Sequence, residues 1–472
     1  MLNVLDRGRQ AFAQRAWKEA YARLSAADAH ALLEGRDLEM MATAAYLIGN
    51  DEASETAWTR AYEWLRTRDR RRAARCAFWL VLQLLAIGDW ARGGGWLSTA
   101  ERLLDEDAEC PERGLLLLLV ARTYAKRGDL DAASDAFTRI AALARTSDDP
   151  ELRAFSLLAR AQATARRGGS AAAMGLFDEA MVAVTTDPLS PISAGVIYCA
   201  VIEACYDILD VGRAREWTAA LSRWCADQPD LLPFRGHCLV YRAETMRLSG
   251  DWSGAIAQAR QVCAIASQPA SEPGAPVPLD HRTRAYPIGA AFYEMAEIHR
   301  MRGEFGDAEE AYRQAHLYGR SPEPGLALLR LAQGRVDAAE AAIRRIDSQR
   351  QKWVVRAGML SASVDIMLAA QVRPAARDAA DELAVLAEGM PAPYLCALSA
   401  QASGAILLAD GKPRDALEAR RMARVAGAGR SVRSGARSRR DRTGLAPARG
   451  WGSGRTGIRS RAPRVPAARG SA

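Results

Sequence analysis

Lysine and the motifs of common catalytic sites are nearly missing from this sequence. Only Lys18, Lys126, Lys352 and Lys412 occur among 472 residues, and none of them completes a GxxxxGK[ST] phosphate loop. The sequence has no HExxH metal motif, no GxSxG nucleophile elbow and no GxGxxG loop after a predicted strand. These absences argue against an enzyme and predict no bound cofactor.

The titratable residues that remain are scattered. Five histidines lie at positions 30, 237, 281, 299 and 316, and His299 falls at an inward position where a satisfied core imidazole is expected. Neighbouring carboxylates such as Glu309 and Glu310 fit a solvated helix surface. The sequence therefore predicts no catalytic residues.

Long apolar runs are also missing. The N-terminus carries charges from Asp6 onward, which does not fit a signal peptide. The most apolar segments, Cys76–Ile87 and Leu115–Ala121, are too short to span a bilayer and fit buried helices. We therefore expect a cytoplasmic protein without a membrane anchor.

The cysteines show no spacing typical of a disulfide framework. The eight cysteines form no CxxC pair, which favours reduced, partly buried thiols. Five of them lie between Cys199 and Cys263, where a metal cluster including Cys225, His237 and Cys238 is the alternative. Their spacing does not support a closed tetrahedral site, so no metal is predicted.

Strand patterns are almost absent, whereas helical spacing recurs throughout. The clearest copy is AAFYEMAEIHRMRGEFGDAEEAYRQA, Ala290 to Ala315. Gly303 falls where a first helix must end with positive φ, and Asp307 falls where a short side chain can cap a second helix. Ala296 and Ala308 allow close approach, and Tyr312 lies on the same face as Ala308.

This spacing resembles the tetratricopeptide (TPR) repeat. Copies of it turn at Gly128, Gly168, Gly250, Gly303, Gly334 and Gly411, and looser copies at Arg15, Gly49, Gly88, near Asp210 and near Gln371. The mean period of about 40 residues exceeds the usual TPR length of about 34 and is found in HEAT-like pairs, but the alanine and aromatic offsets favour TPR. The prediction is all-α, a right-handed superhelical α-solenoid of about eleven TPR-like hairpins over residues 1–423.

Proline-rich stretches mark the predicted loops between hairpins. They are Asp187–Pro191, Asp227–Pro233 and the longest insertion, Gln268–Arg284. The insertion either folds over the solenoid groove or extends into solvent.

A solenoid presents a concave face lined by the first helix of each hairpin. Counting from the small residue of each repeat places seven side chains there: His237, Tyr241, Glu244, Arg247, Tyr293, Glu297 and Arg300. Aromatic and arginine side chains commonly anchor partners, so this groove is the predicted site for a protein or small effector. The alternative is that they are ordinary solvated and inter-repeat contacts.

Residues 424–472 differ sharply from the rest. They contain thirteen arginines against Asp441 alone, so they carry +12 while the whole chain carries +8 and residues 1–423 about −4. Such a composition predicts disorder. The segment is either a genuine tail that binds polyanions non-specifically or the out-of-frame translation of a GC-rich gene.

Three stretches carry a wider resemblance, Ala194–Glu244, Ala290–Ala315 and Pro324–Arg345. They resemble the TPR region of actinobacterial LuxR-type transcriptional regulators, over about residues 1 to 420. The resemblance implies a ligand- or partner-sensing arm. Regulators of this type end in a helix-turn-helix domain whose motif matches no stretch here, so we expect no sequence-specific DNA contact from this chain. The alternative is a TPR adaptor or scaffold unrelated to transcription, with a genuine basic tail.

Overall fold

The chain is built from helices placed one after another. The computed structural model describes residues 3–31, 33–104, 109–127, 129–166, 169–208, 210–228, 230–266, 281–345, 353–389, 393–419 and 421. Its helices are α1 (Val4–Ala13), α2 (Trp17–His30), α3 (Gly35–Leu47), α4 (Asp51–Leu65), α5 (Arg70–Ala86), α6 (Trp90–Leu103), α7 (Pro111–Arg127), α8 (Leu130–Thr146), α9 (Pro150–Arg166), α10 (Ser170–Thr186), α11 (Pro191–Asp207), α12 (Val211–Ala226), α13 (Arg235–Ser249), α14 (Trp252–Ala266), α15 (His281–Arg302), α16 (Phe305–Leu317), α17 (Gly325–Ala332), α18 (Val336–Arg344), α19 (Trp353–Ala369), α20 (Arg373–Gly389), α21 (Pro393–Ala409) and α22 (413–419).

Consecutive helices pair as hairpins, from α1 with α2 to α19 with α20, and α22 follows α21 after a turn. The odd-numbered helices also contact one another along the inner side, as α5 does with α7 and α7 with α9. The described residues contain no strand. The predicted all-α solenoid of about eleven TPR-like hairpins is confirmed.

Tight turns join the two helices of the hairpins whose turn residues the structure describes, at the predicted positions. Gly303 has φ of 77°, and Gly49, Gly88, Gly250, Gly334 and Gly411 are also left-handed. Arg15 and Gln371 adopt φ of 59° and 60°, an unfavourable conformation for a residue with a Cβ. Gly128 and Gly168 lie outside the described residues.

The predicted cap at Asp307 is wrong. Glu304 occupies the N-cap of α16 without a capping hydrogen bond, and Asp307 lies in the first turn. Capping elsewhere comes from the residue directly after the turn: Asn50 accepts a hydrogen bond from Ala53 N at 3.1 Å, and Asp89 accepts one from Arg92 N at 3.1 Å. In the Gly303 hairpin that position is glutamate, a poor N-cap residue because its side chain is longer.

Small residues fill the predicted points of close helix contact. Ala296 and Ala308 have no exposed surface, and neither do Tyr312 and Ala315 on the same face of α16. The equivalent alanines of other hairpins are likewise fully buried: Ala121, Ala161, Ala173, Ala243, Ala255, Ala327 and Ala339. The predicted spacing therefore marks the core of the solenoid.

The predicted loops agree in part. Residues 187–190 separate α10 from α11, and Asp227–Phe234 separate α12 from α13. The last four residues of the insertion Gln268–Arg284 are helical, because α15 already begins at His281. Residues 267–280 and the tail 424–472 lie outside the described part of the chain. No helix that the structure describes is both long enough and apolar enough to cross a bilayer.

The loop before α13 contacts the beginning of the chain. Leu232 donates its amide proton to the carbonyl oxygen of Leu47, with 2.9 Å between N and O. Asp230 Oδ2 accepts a hydrogen bond from the Lys18 amide at 3.2 Å, and the ring of Phe234 lies 6.4 Å from that of Tyr46. The hairpins thus curl round until the start of the seventh meets the first two.

Inside this curl, one arginine joins three inner helices. Arg75 of α5 pairs with Glu112 of α7 at 3.2 Å, with Glu151 of α9 at 3.3 Å, and with Asp149. Glu151 also accepts a hydrogen bond from Ser193 of α11 at 2.7 Å. Glu112 and Glu151 are only 8% and 6% exposed, so this network lies inside the solenoid.

The turns give a first prediction. Gly303→Val should destabilise the α15–α16 hairpin by about 1–2 kcal/mol or more, because a Cβ disfavours positive φ. Gln371→Gly should stabilise its own hairpin, since it removes the same strain. Thermal unfolding followed by circular dichroism measures both changes. Gly306→Val is the control, because Gly306 lies within α16 with open space around it; equal losses at Gly303 and Gly306 would contradict the assigned turn.

The Arg75 network gives a second prediction. Arg75→Met should cost about 3–5 kcal/mol, because it leaves buried carboxylates without their cation. Arg92 pairs with Glu55 and Asp89 on the surface, so Arg92→Met should cost less than about 1 kcal/mol. Urea unfolding of both variants tests the difference. Similar losses would show that Arg75 is solvated like a surface residue.

Candidate functional site

The seven predicted groove residues lie on two helices that pack together. His237, Tyr241, Glu244 and Arg247 follow one another along α13, and Tyr293, Glu297 and Arg300 follow along α15. Helices α13 and α15 are in direct contact. The structure therefore brings the two groups to one inner face, but it gives their members different surroundings.

His237 and Tyr241 lie where α13 meets α11. The ring of Tyr241 is buried and stacks on Tyr206 of α11, with centroids 5.8 Å apart. The Tyr206 hydroxyl lies 2.7 Å from Thr245 Oγ1 and 3.0 Å from the Tyr241 carbonyl oxygen, to which it donates. Burial lowers the pKa of His237, whose Nδ1 lies 3.4 Å from Pro233 O. These contacts fasten neighbouring hairpins together.

Arg247 is paired across the helix contact. Its Nε lies 2.5 Å from Oε2 of Glu294 on α15, and both side chains are largely buried. Burial opposes the charge, but the Glu294 carboxylate raises the pKa of Arg247 above its ordinary value. The pair is ionic and joins α13 to α15.

Glu297 is bonded within its own hairpin and lies close to the start of the next one. Its carboxylate accepts hydrogen bonds from Arg300 at 2.8 Å and from the Tyr312 hydroxyl. A Cβ at Gly325, the first residue of α17, would overlap both Glu297 and Tyr312. Burial works against ionisation, yet Arg300 lowers the pKa of Glu297, and the helix N-terminus favours the same charge.

Glu244 differs from the other two carboxylates. No hydrogen bond or ion pair joins its side chain to another residue in the described ranges. Burial, together with the neighbouring Glu294 carboxylate, raises its pKa to about 7. Its side chain is partly exposed on the inner face. Glu244 is therefore a largely buried carboxylate that no residue in the described ranges pairs with.

Sequence reasoning missed residues that complete this surface. Arg320, just after the left-handed Gly319, lies 4.9 Å from the centroid of the Tyr293 ring, and its buried Nε has no hydrogen-bond partner. Burial raises the pKa of Tyr394 at the start of α21, and the charges that act on it include Arg247 and Glu244. We call Tyr206, Glu244, Arg247, Tyr293, Glu294, Arg320 and Tyr394 the Glu244 cluster.

Thiols and histidines do not gather into the metal site considered from the sequence. Cys225 and Cys238 are in hydrogen-bond contact, which lowers the pKa of Cys238 to about 7, and Ser222 Oγ lies 3.3 Å from Cys238 Sγ. Within the described ranges the metal-ligand types converge only at His299, Glu304 and Asp307. There His299 Nδ1 lies 2.5 Å from Glu304 Oε2, so the imidazole is hydrogen-bonded at the hairpin turn.

A cleft lies between α4 and α6. It is a shallow cleft of about 480 Å³ lined by Tyr62, Glu63, Arg66, Arg92, Gly95, Trp96 and Thr99. Tyr62 and Trp96 pack edge to face at 5.0 Å, and Arg66 and Arg92 are both paired with carboxylates. The arginines of this cleft are thus paired, whereas the Glu244 cluster contains a carboxylate and a guanidinium nitrogen without a partner in the described ranges.

Comparison with known proteins yields structural likeness only. No protein-family model and no curated protein matches the chain. The apo form of the quorum sensor NprR from B. thuringiensis is 10% identical, with 76% of this chain and 99% of that chain covered and a TM-score of 0.42. The human IFIT1 dimer with m7Gppp-AAAA is 14% identical, with 89% and 88% covered and a TM-score of 0.37.

The APC/C hetero-tetramer Cut9–Hcn1 is similar in the same distant way. It is 12% identical, with 88% of this chain and 95% of that chain covered and a TM-score of 0.30. Likenesses at this level carry no argument about ligand, partner or activity.

Proposed function

We propose that this chain is a cytoplasmic regulatory module of the TPR type that holds a peptide or small effector against the inner face of α13 and α15. The observation that carries this proposal is the pair of charged groups in the Glu244 cluster that lack a partner. Glu244 has no ion pair within the described ranges, and Arg320 Nε is buried without an acceptor.

Unsatisfied charges of this kind are costly inside a protein. A buried charge is normally paired or hydrogen-bonded, and other inner charges of this solenoid follow that rule. Arg75 is paired with three carboxylates, Arg247 with Glu294 and Arg300 with Glu297. A ligand that contacts both Glu244 and Arg320 would satisfy both groups, which supports a binding role for this face.

We further propose that the module is related to LuxR-type transcriptional regulators, on the repeat resemblance over about residues 1 to 420. In that role, the module would act by binding its effector. Its own residues would not read a DNA sequence. A TPR adaptor or scaffold is the second candidate. It would bind an extended protein partner over several hairpins, so its affinity would depend on inner residues far from the Glu244 cluster.

Selection from a library of random heptapeptides tests the binding site. Peptides selected on the full chain should bind the Arg320→Gln and Tyr394→Ala variants at least about fivefold more weakly, a loss of about 1 kcal/mol that marks an interface residue contributing to binding. Arg313→Gln is the matched control, because Arg313 pairs with Glu310 on the exposed face of α16. Equal affinity across all four proteins, or no selected peptide, would refute the proposed site.

A DNA-binding measurement tests whether this chain itself reads a DNA sequence. An arginine-rich segment of net charge +12 should bind any polyanion at low salt by releasing counterions. Cognate promoter and scrambled fragments should therefore bind equally and dissociate by about 0.2 M salt. Removal of residues 424–472 should abolish binding of both. A salt-resistant, sequence-selective complex would show that the chain itself contains a DNA-reading element.

A further inference from the structure

The charges of the Glu244 cluster are paired except at one carboxylate and one guanidinium. Arg247 lies one helical turn after Glu244 on α13, but its Nε is already taken by Glu294 at 2.5 Å. Arg300 is likewise taken by Glu297. Among the described carboxylates of the α13–α15 face, Glu244 is thus the one that forms no ion pair with an arginine.

Arg320 acts on Glu244 from a distance but does not pair with it. Its positive charge lowers the pKa of Glu244, together with that of Arg247, against the larger effect of burial. The Arg320 guanidinium is held over the ring of Tyr293, with 4.9 Å between its central carbon and the ring centroid. Glu244 and Arg320 thus offer a hydrogen-bond acceptor and a hydrogen-bond donor that do not bond to each other.

Two tyrosines lie near the unpaired carboxylate. Tyr206 of α11 and Tyr394 of α21 both respond electrostatically to Glu244, which places them near it, and 38% of the Tyr394 surface is exposed. Aromatic faces attract cations, and the Arg320–Tyr293 contact is an example within this cluster. A carboxylate among aromatic rings favours an ammonium or guanidinium group over an anion.

We propose that Glu244 receives a positively charged group of the ligand, the ammonium of a lysine or chain terminus or the guanidinium of an arginine, between Tyr206 and Tyr394. The neighbouring Arg320 then donates to an oxygen of the same ligand, such as a peptide carbonyl. This inference rests on the proposed function, because it names the ligand chemistry of the same face.

Proton release accompanies this capture. The groups that face Glu244 are Tyr206 from α11, Arg247 from α13, Glu294 from α15, Arg320 from the loop before α17, and Tyr394 from α21. With its pKa near 7, unliganded Glu244 is largely protonated below neutral pH, and a bound cation favours the ionised form. Binding should release a proton below about pH 7, and affinity should rise by up to about tenfold per pH unit until it levels off above that pH.

Parallel selections of random heptapeptides on the full chain test this inference. Peptides selected on the wild type should be enriched in arginine or lysine, and Glu244→Gln should lose that enrichment. The best wild-type peptide should bind Glu244→Gln at least tenfold more weakly. Calorimetry in two buffers of different ionisation enthalpy should show proton release at about pH 6 and almost none at about pH 8.5.

Two controls separate a binding defect from a folding defect. Glu310→Gln removes an exposed carboxylate of α16 and should leave enrichment and affinity unchanged. Glu244→Gln should unfold at the same or a higher temperature than the wild type at about pH 8. The pKa of Glu244 is higher in the folded chain than in the unfolded chain, so the wild type loses stability as pH rises from the unfolded-state pKa through the folded-state pKa. Glutamine does not ionise and avoids that loss.

The outcomes also separate this inference from the proposed function. If no selected peptide depends on Arg320 or Tyr394, the site and the inference both fail. If peptides depend on those residues but are enriched in acidic residues, or if binding takes up protons, the site stands and capture of a cation is refuted. Unchanged affinity in Glu244→Gln refutes it as well.

Discussion

The contact between the loop before α13 and the first two hairpins determines how the inner side of this solenoid can be used. The Leu232 amide bonds the Leu47 carbonyl oxygen, and the Phe234 ring packs near Tyr46 and against Gly195, where a Cβ would overlap it. Within the curl so closed, Arg75 holds α5, α7 and α9 together. The third, fourth and fifth hairpins are therefore tied to one another by Arg75, and the first two to the start of the seventh by this loop.

The inner side beyond α13 is different, because its polar groups are only partly satisfied. Arg247 joins neighbouring hairpins through Glu294, and Glu297 joins α15 to α16 of one hairpin through Tyr312, so two predicted groove residues also stabilise the solenoid. Glu244 and Arg320 do not complete such pairs. The same part of the solenoid thus carries both contacts that stabilise neighbouring hairpins and polar groups without a partner among the described residues.

Much of the fold could be predicted because its determinants are local. A left-handed turn residue seven positions after a small residue identifies a hairpin, even where the turn is Arg15, seven positions after Gly8, rather than a glycine. The cap at Asp307 was predicted wrongly because the capping position directly follows the turn. Glu294, Arg320 and Tyr394 carry no local signal. They come near Glu244 only in the folded chain, from α15, from the loop before α17 and from the start of α21, and sequence spacing does not encode that placement.

Amide hydrogen exchange at Leu232 tests most directly the claim that the chain closes on itself. This residue lies in a loop, and its amide bonds to Leu47 across the curl rather than to a neighbour in sequence. The account predicts that the Leu232 amide exchanges as slowly as amides within the adjoining helices α3 and α13. Exchange at the rate of an open loop would show that the first two hairpins and the seventh are apart in solution, and would contradict the closed inner side.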